Sequence, residues 1–237
     1  MYLTEYLNKS IFLMMSSQRS TDLINSYLDK VKKLPLFAED FATSLTPEQK
    51  ELFIKIFYHA RGKFHDFLWY IGSNTQNAKV KKVVLQNISE EFNGSAASHE
   101  EMYMHFANQF DVDLSKEFFN NKYYIKSIRD FNDNHISYLV NNDDNHRIAA
   151  LSAYEKLDNI DYPFLLEFAS QMGAKGKALI FFKVHALVEH FDATKEILES
   201  VWEKDAEAVK KSFEFITNNQ LFLWDSLFKE LNTCISA

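Results

Sequence analysis

The sequence predicts an all-α fold: one domain over residues 1–237, a single bundle of about seven or eight helices around a central pocket. Three observations predict it. The 237 residues include only 5 glycines and 3 prolines, far below ordinary usage, so tight turns are few and long helices are favoured. No stretch alternates apolar and polar residues as a half-buried strand does. Helix-start signals recur ahead of apolar runs, with Glu or Gln three residues on. Hydrophobic residues make up 46% of the chain, and 22 Phe and 11 Tyr assign much of the core to aromatic rings.

The elements follow in order. Residues 1–33 hold one or two amphipathic helices, one starting at Ser20-Thr21-Asp22, and Leu34-Pro35 breaks the pattern. Thr46 is an N-cap, Pro47 takes the first helical position and Gln49 completes a capping box. The helix so opened runs to about Ile71 and ends at Gly72-Ser73-Asn74. Another spans Asn77 to Phe92, closed by Asn93-Gly94. Ser98, with Glu101 three residues on, caps a helix that ends near Phe110. Helices follow over 115–141 and 145–171. Gly173 and Gly176 then separate off a helix over 177–195, and the last covers 205–233. There is no internal repeat, low-complexity tract or linker.

Composition also excludes function classes. The net charge is −7, and no Lys/Arg run or basic stripe occurs, which argues against nucleic acid as a partner. The N-terminus has no basic leader region. The longest apolar run, Ala178–Val188, is interrupted by Lys183 and His185 and is too short to span a bilayer. Cys234 is the single cysteine, so neither an internal disulfide nor a cysteine-rich zinc site can form. A soluble cytoplasmic protein is expected.

The helix over 177–195 carries the chemistry. His185, Glu189 and Asp192 fall at roughly 0°, 40° and −20° on a helical wheel, crowded by Ile180, Phe181, Phe182, Val184, Leu187 and Val188. Two carboxylates beside a histidine on one apolar-flanked face suggest a bound cation, because an uncompensated buried charge is costly. The alternative is a solvated helix edge over a packed histidine. Glu91 ends one helix and His99 opens the next, so a short loop can bring them to one point. Glu155 sits among Ile148, Leu151, Ser152, Tyr162 and Leu166, an apolar setting that calls for either a metal or a salt bridge to a lysine. Glu91, His99, Glu155, His185, Glu189 and Asp192 together offer four carboxylates and two imidazoles. Helical bundles that bind two iron or manganese ions use this composition.

The order of these pieces resembles the haem-oxygenase-like superfamily. Asn87-Ile-Ser-Glu-Glu-Phe-Asn-Gly94 is followed by His99, then Ala153-Tyr-Glu155, then Phe182-Lys-Val-His-Ala-Leu-Val-Glu-His-Phe-Asp192. The chain is most similar to the CADD/PqqC/TenA branch and its dimetal (diiron) oxidases, over roughly residues 35–230. The resemblance implies a metal set of Glu91, His99, Glu155, His185, Glu189 and Asp192. Two departures stand out: the loop from Glu91 to His99 is one residue longer than in those relatives, and their His-x3-Asp-x2-His helix here reads His185, Glu189, Asp192.

On the same resemblance, haem is not expected, because residues 1–34 contain no histidine to serve as the proximal ligand. A thiaminase would need a pocket cysteine. A p-aminobenzoate synthase of this fold would need a lysine where Leu165 stands and a tyrosine near Ala38. The resemblance implies, as the first reading, an O2-dependent dimetal oxidase or oxygenase, with two irons or an iron–manganese pair, acting on a small organic molecule. O2, an electron donor and a homodimeric state are expected. Tyr58, His65 and Tyr154 are the expected pocket liners, Tyr154 as a proton or radical donor beside Glu155. The competing readings are a metal-free TenA- or PqqC-like enzyme, in which the carboxylates do acid–base work on a heterocycle, and a non-catalytic small-molecule binder.

Overall fold

The computed structural model describes residues 22–93, 97–187 and 191–233, side chains of residues 93 and 191–193 excepted. Every described element is helical, as the sequence predicts. Helix α1 covers residues 22–31, and Pro35–Phe37 form a 3-10 turn at the expected break. Then come α2 (Phe41–Ser44), α3 (Pro47–Arg61), α4 (Phe64–Asn74), α5 (Ala78–Asn93) and α6 (His99–Gln109). The second half holds α7 (Ser115–Asn120), α8 (Lys126–Asn141), α9 (Asp144–Gln171), α10 (Ile180–Leu187), α11 (Phe191–Lys204) and α12 (Ala206–Thr233).

The described helices outnumber the seven or eight expected because long periodic stretches are broken. The helix expected over 47–71 splits at Gly62. The Gly62 N–H donates to Tyr58 O at 2.8 Å, and a Cβ at this position would stand 2.9 Å from that same oxygen. The stretch expected over 115–141 splits at Asn121, which is left-handed at φ 47°. Asparagine tolerates that region better than most residues. The helix expected over 177–195 becomes a 3-10 turn at Gly176–Leu179 followed by α10 and α11; residues 188–190 between them lie outside the described residues.

The capping boxes form as the sequence predicts. At α3, Thr46 Oγ1 accepts from the Gln49 N–H at 3.3 Å and Gln49 Oε1 from the Thr46 N–H at 2.8 Å. At α6, Ser98 and Glu101 do the same. Helix α9 is the axis: it packs against α12, α10 and α11, and Tyr154, Glu155, Asp161 and Tyr162 along it are buried. Pro163 lies inside α9 on its exposed side, so the missing N–H is on the side where water can serve the backbone. Tyr27 of α1 and Trp224 of α12 are fully buried and meet at Asp161 of α9. No helix among the described residues is long and apolar enough to cross a membrane.

Candidate metal centre

A cavity of about 300 Å³ opens between α3, α4, α5, α6, α9 and α10. Each helix contributes for a local reason. The Ser98 capping box starts α6, so His99 is its first residue. Glu91 lies in the last turn of α5, on the same face as Asn87 four residues earlier. The two helices converge, and His99 Nδ1 lies 3.0 Å from Glu91 Oε1. The rings of His99 and His185 are 4.3 Å apart. One ligand atom from each of Glu91, His99 and His185 falls within 4.8 Å of the others.

The orientation of His185 suits a ligand. Its Nδ1 lies 2.7 Å from Phe181 O. A carbonyl only accepts, so Nδ1 carries the hydrogen and Nε2 keeps the lone pair, the arrangement common in metal-ligating histidines. Tyr162 stacks on the ring at 4.3 Å and 14°, fixing its plane.

Glu155 lines the same cavity. It is 4% exposed, and its hydrogen bond is to Asn87 Nδ2, which donates to Oε1 at 2.8 Å. The salt bridge to a lysine, offered above as the alternative, is not made among the described residues. Burial, then the charges of Asp158, Glu91 and Glu90, push the Glu155 carboxyl well above the ordinary range. A carboxyl with no cation of its own, beside a second carboxylate and two imidazoles, is what a divalent ion would compensate. The donor set of oxygen and imidazole suits iron and manganese. The residues present therefore fit a metal of this kind.

Beside this cluster lies a second group that sequence reasoning missed. Arg61, the last residue of α3, is 8% exposed. Its Nη1 donates to Tyr154 Oη at 2.6 Å and to Asp158 Oδ1 at 2.8 Å. Burial works against its charge, but Asp158, with Tyr154, Tyr162 and Asp161 nearby, holds the guanidinium well above its usual value. Burial raises Asp158 to about 6 despite Arg61. It raises Asp161, which accepts from Tyr27 and Trp224, to about 8. Asp158 and Tyr162 lie three and seven residues beyond Glu155, spacings that share a helical face, so the wheel that placed Glu155 held the signal for both. Arg61 had none, because a helix-terminal arginine usually faces water.

Of the six ligands expected, Glu91, His99, Glu155 and His185 line this one cavity. Glu189 lies outside the described residues, and Asp192 is described by its backbone alone, in the first turn of α11. Tyr154, 1% exposed, is in the wall; Tyr58 and His65 are half-buried at the rim. The Tyr58 hydroxyl donates to Glu100 Oε1 at 3.0 Å, and the His65 ring lies 5.5 Å from that of Phe92.

The all-helical bundle around a carboxylate–histidine cavity has the haem-oxygenase-like fold. A domain of unknown function with a heme oxygenase-like fold from Shewanella denitrificans superposes with a TM-score of 0.72 at 16% identity, covering 94% of this chain and 95% of that one. A CADD-like protein of unknown function from Nostoc punctiforme superposes with a TM-score of 0.71 at 15% identity, covering 92% and 99%. No curated protein matches the sequence. The sequence pattern of the iron-containing redox enzymes matches residues 51–206, and the chain belongs to that family.

Proposed function

We propose that the protein is a non-haem iron enzyme that oxidises a small organic molecule with O2 at a two-metal site. The observation that carries this reading is the convergence of Glu91, His99 and His185 with the buried Glu155, which meets no cation among the described residues, in the same cavity. Glu189 and Asp192 complete the proposed set for two irons or an iron–manganese pair. Reduced iron, when bound, supplies the electrons and the coordination site that O2 needs. An external electron donor would supply the reducing equivalents.

The chain's own residues do the rest. Phe181 O holds the His185 tautomer, and Asn87 orients Glu155. Phe64, Tyr103 and Phe181 make an apolar wall that limits water around the substrate. Tyr154 is kept protonated by burial and is placed to give a proton or a hydrogen atom beside Glu155. Tyr58 and His65 flank the entrance. A homodimer is proposed on the general prevalence of two-fold assemblies.

Anaerobic Fe(II) titration tests the reading. About two ions per chain are expected, or one if Asp192 does not ligate. Glu155→Gln keeps the side-chain shape and an acceptor for Asn87 but removes the charge; it should lose at least one ion and leave the melting temperature of metal-free protein level or higher, because repulsion among carboxylates is relieved. Absence of binding in wild type would reject the metal site. It would favour the metal-free TenA- or PqqC-like reading, for which the Glu91–His99 hydrogen bond supplies an acid–base pair.

A further inference from the structure

We propose that the Tyr154 wall of the cavity recognises an oxygen acceptor, the carbonyl or carboxylate of a small flat compound, through a phenol hydrogen backed by Arg61. The argument starts from what each group can do. A guanidinium only donates, so in the 2.6 Å contact between Arg61 Nη1 and Tyr154 Oη the phenol oxygen accepts. The phenol's own hydrogen is therefore not used in that contact, and no acceptor among the described residues takes it. Asp158, which shares Arg61 Nη1 with the phenol, receives its hydrogen bonds from Arg61 and Gln220 instead.

The ring cannot turn to find another partner. Phe64 stacks on it at 4.8 Å and 14°, and His135 at 5.4 Å and 29°. Tyr154 is thus a fixed, buried donor in the wall of a cavity. The guanidinium behind it lies against Trp224 and Tyr162 at 5.1 and 5.3 Å, so it too is held in place. A cation on the oxygen side of an O–H bond polarises that bond and strengthens the hydrogen bond it gives. Such a donor favours ligands that bring an acceptor and rejects those that do not.

The rest of the cavity sets the body of the ligand. Phe64, Tyr103, Tyr162 and Phe181 line it, which suits a flat apolar skeleton. At about 300 Å³ it stands at the small end of ligand pockets. This recognition names the substrate class for the redox reading above and rests on that reading only for the chemistry after binding.

The test is therefore binding to metal-free full-length protein, followed by calorimetry with benzoate, benzaldehyde and toluene. Benzoate or benzaldehyde should bind about tenfold or more tightly than toluene, a gap of about 1.4 kcal/mol. Tyr154→Phe should bring the oxygenated probes to within about twofold of toluene while toluene itself is unchanged. A preference for benzoate assigns a carboxylate; a preference for benzaldehyde assigns a neutral carbonyl. Equal binding of all three by wild type, no saturable binding of either oxygenated probe, or discrimination that survives in Tyr154→Phe overturns the proposal. Should the variant fail to fold, the comparison among the three probes on wild type still decides. Failure of Fe(II) binding in the separate titration leaves this result standing, so the two readings fail independently.

Discussion

His135 poses the sharpest question at the scale of single residues. It is 1% exposed, and neither ring nitrogen has a hydrogen-bond partner among the described residues. Phe67 lies 3.8 Å from its ring, Tyr154 stacks on one face and Phe215 meets its edge. Burial alone pushes its pKa down to about 3, so the folded protein holds it neutral. It acts as an aromatic spacer that positions Tyr154, at the cost of two unsatisfied polar atoms. His135→Phe should keep the stack and remove that cost, stabilising the protein by about 1–3 kcal/mol. Its benefit should grow as pH falls below the unfolded-state value near 6.5, where the unfolded chain takes up a proton that the native histidine refuses. Urea unfolding at pH 5.5 and 7.5 measures both effects. Destabilisation at both values would mean that the nitrogens have partners in solution, such as a buried water.

At the scale of elements, the helix starts govern the site. His99 can reach Glu91 only if the first turn of α6 is formed, and the Ser98–Glu101 capping box forms it. Ser98→Ala should cost about 1 kcal/mol, lowering the melting temperature by roughly 2–4 °C in a domain of this size. It should also weaken metal binding by a comparable factor, because the frayed turn carries a ligand; Thr46→Ala, which uncaps α3, should cost similar stability and leave metal binding alone. Calorimetry with and without Mn(II) separates the two variants, and an equal effect on binding would sever the link between cap and site. The same caps were legible in the sequence, because a capping box is a local pattern with its own mechanism. So was the shared cavity wall of Glu91, His99, Glu155 and His185, through the order of short motifs and the face on which Glu155 lies. What periodicity could not reveal were the interruptions at Gly62 and Asn121, where a close backbone approach and a left-handed residue decide and hydrophobic pattern continues across both. Nor could it place Arg61, whose burial depends on Asp158 and Tyr154 from a helix far along the chain.

For the molecule as a whole, the distinguishing property is a core that buries carboxyls beside aromatic rings. Asp161 ties three helices together at its centre: Tyr27 of α1 donates to both oxygens at 2.8 Å and Trp224 of α12 donates at 3.2 Å. It is 0% exposed, and burial, opposed by Arg61 and reinforced by Asp158, lifts it to about 8 from an ordinary 3.8. Between those values the folded protein holds a proton that the unfolded chain has already lost. Stability from this group is therefore fully present below the unfolded value and is lost as pH rises through about 8. Asp158, raised only to about 6, and His135, which titrates in the unfolded chain near 6.5, change little above that point. The window from pH 6.5 to 8 thus leaves Asp161 and Glu155, whose carboxyl is also raised well above the ordinary range, and comparison with an Asp161 variant separates the two. Metal-free wild type should lose about 1–2 kcal/mol across it, and Asp161→Asn, which keeps an acceptor for Tyr27 and Trp224 but cannot ionise, should show a flatter profile. Urea unfolding at half-unit steps reads the slope directly. A wild-type profile as flat as that of the variant would mean that Asp161 is already ionised at neutral pH, with Arg61 rather than a proton compensating it, and the charge balance of the whole core would have to be redrawn around that pair.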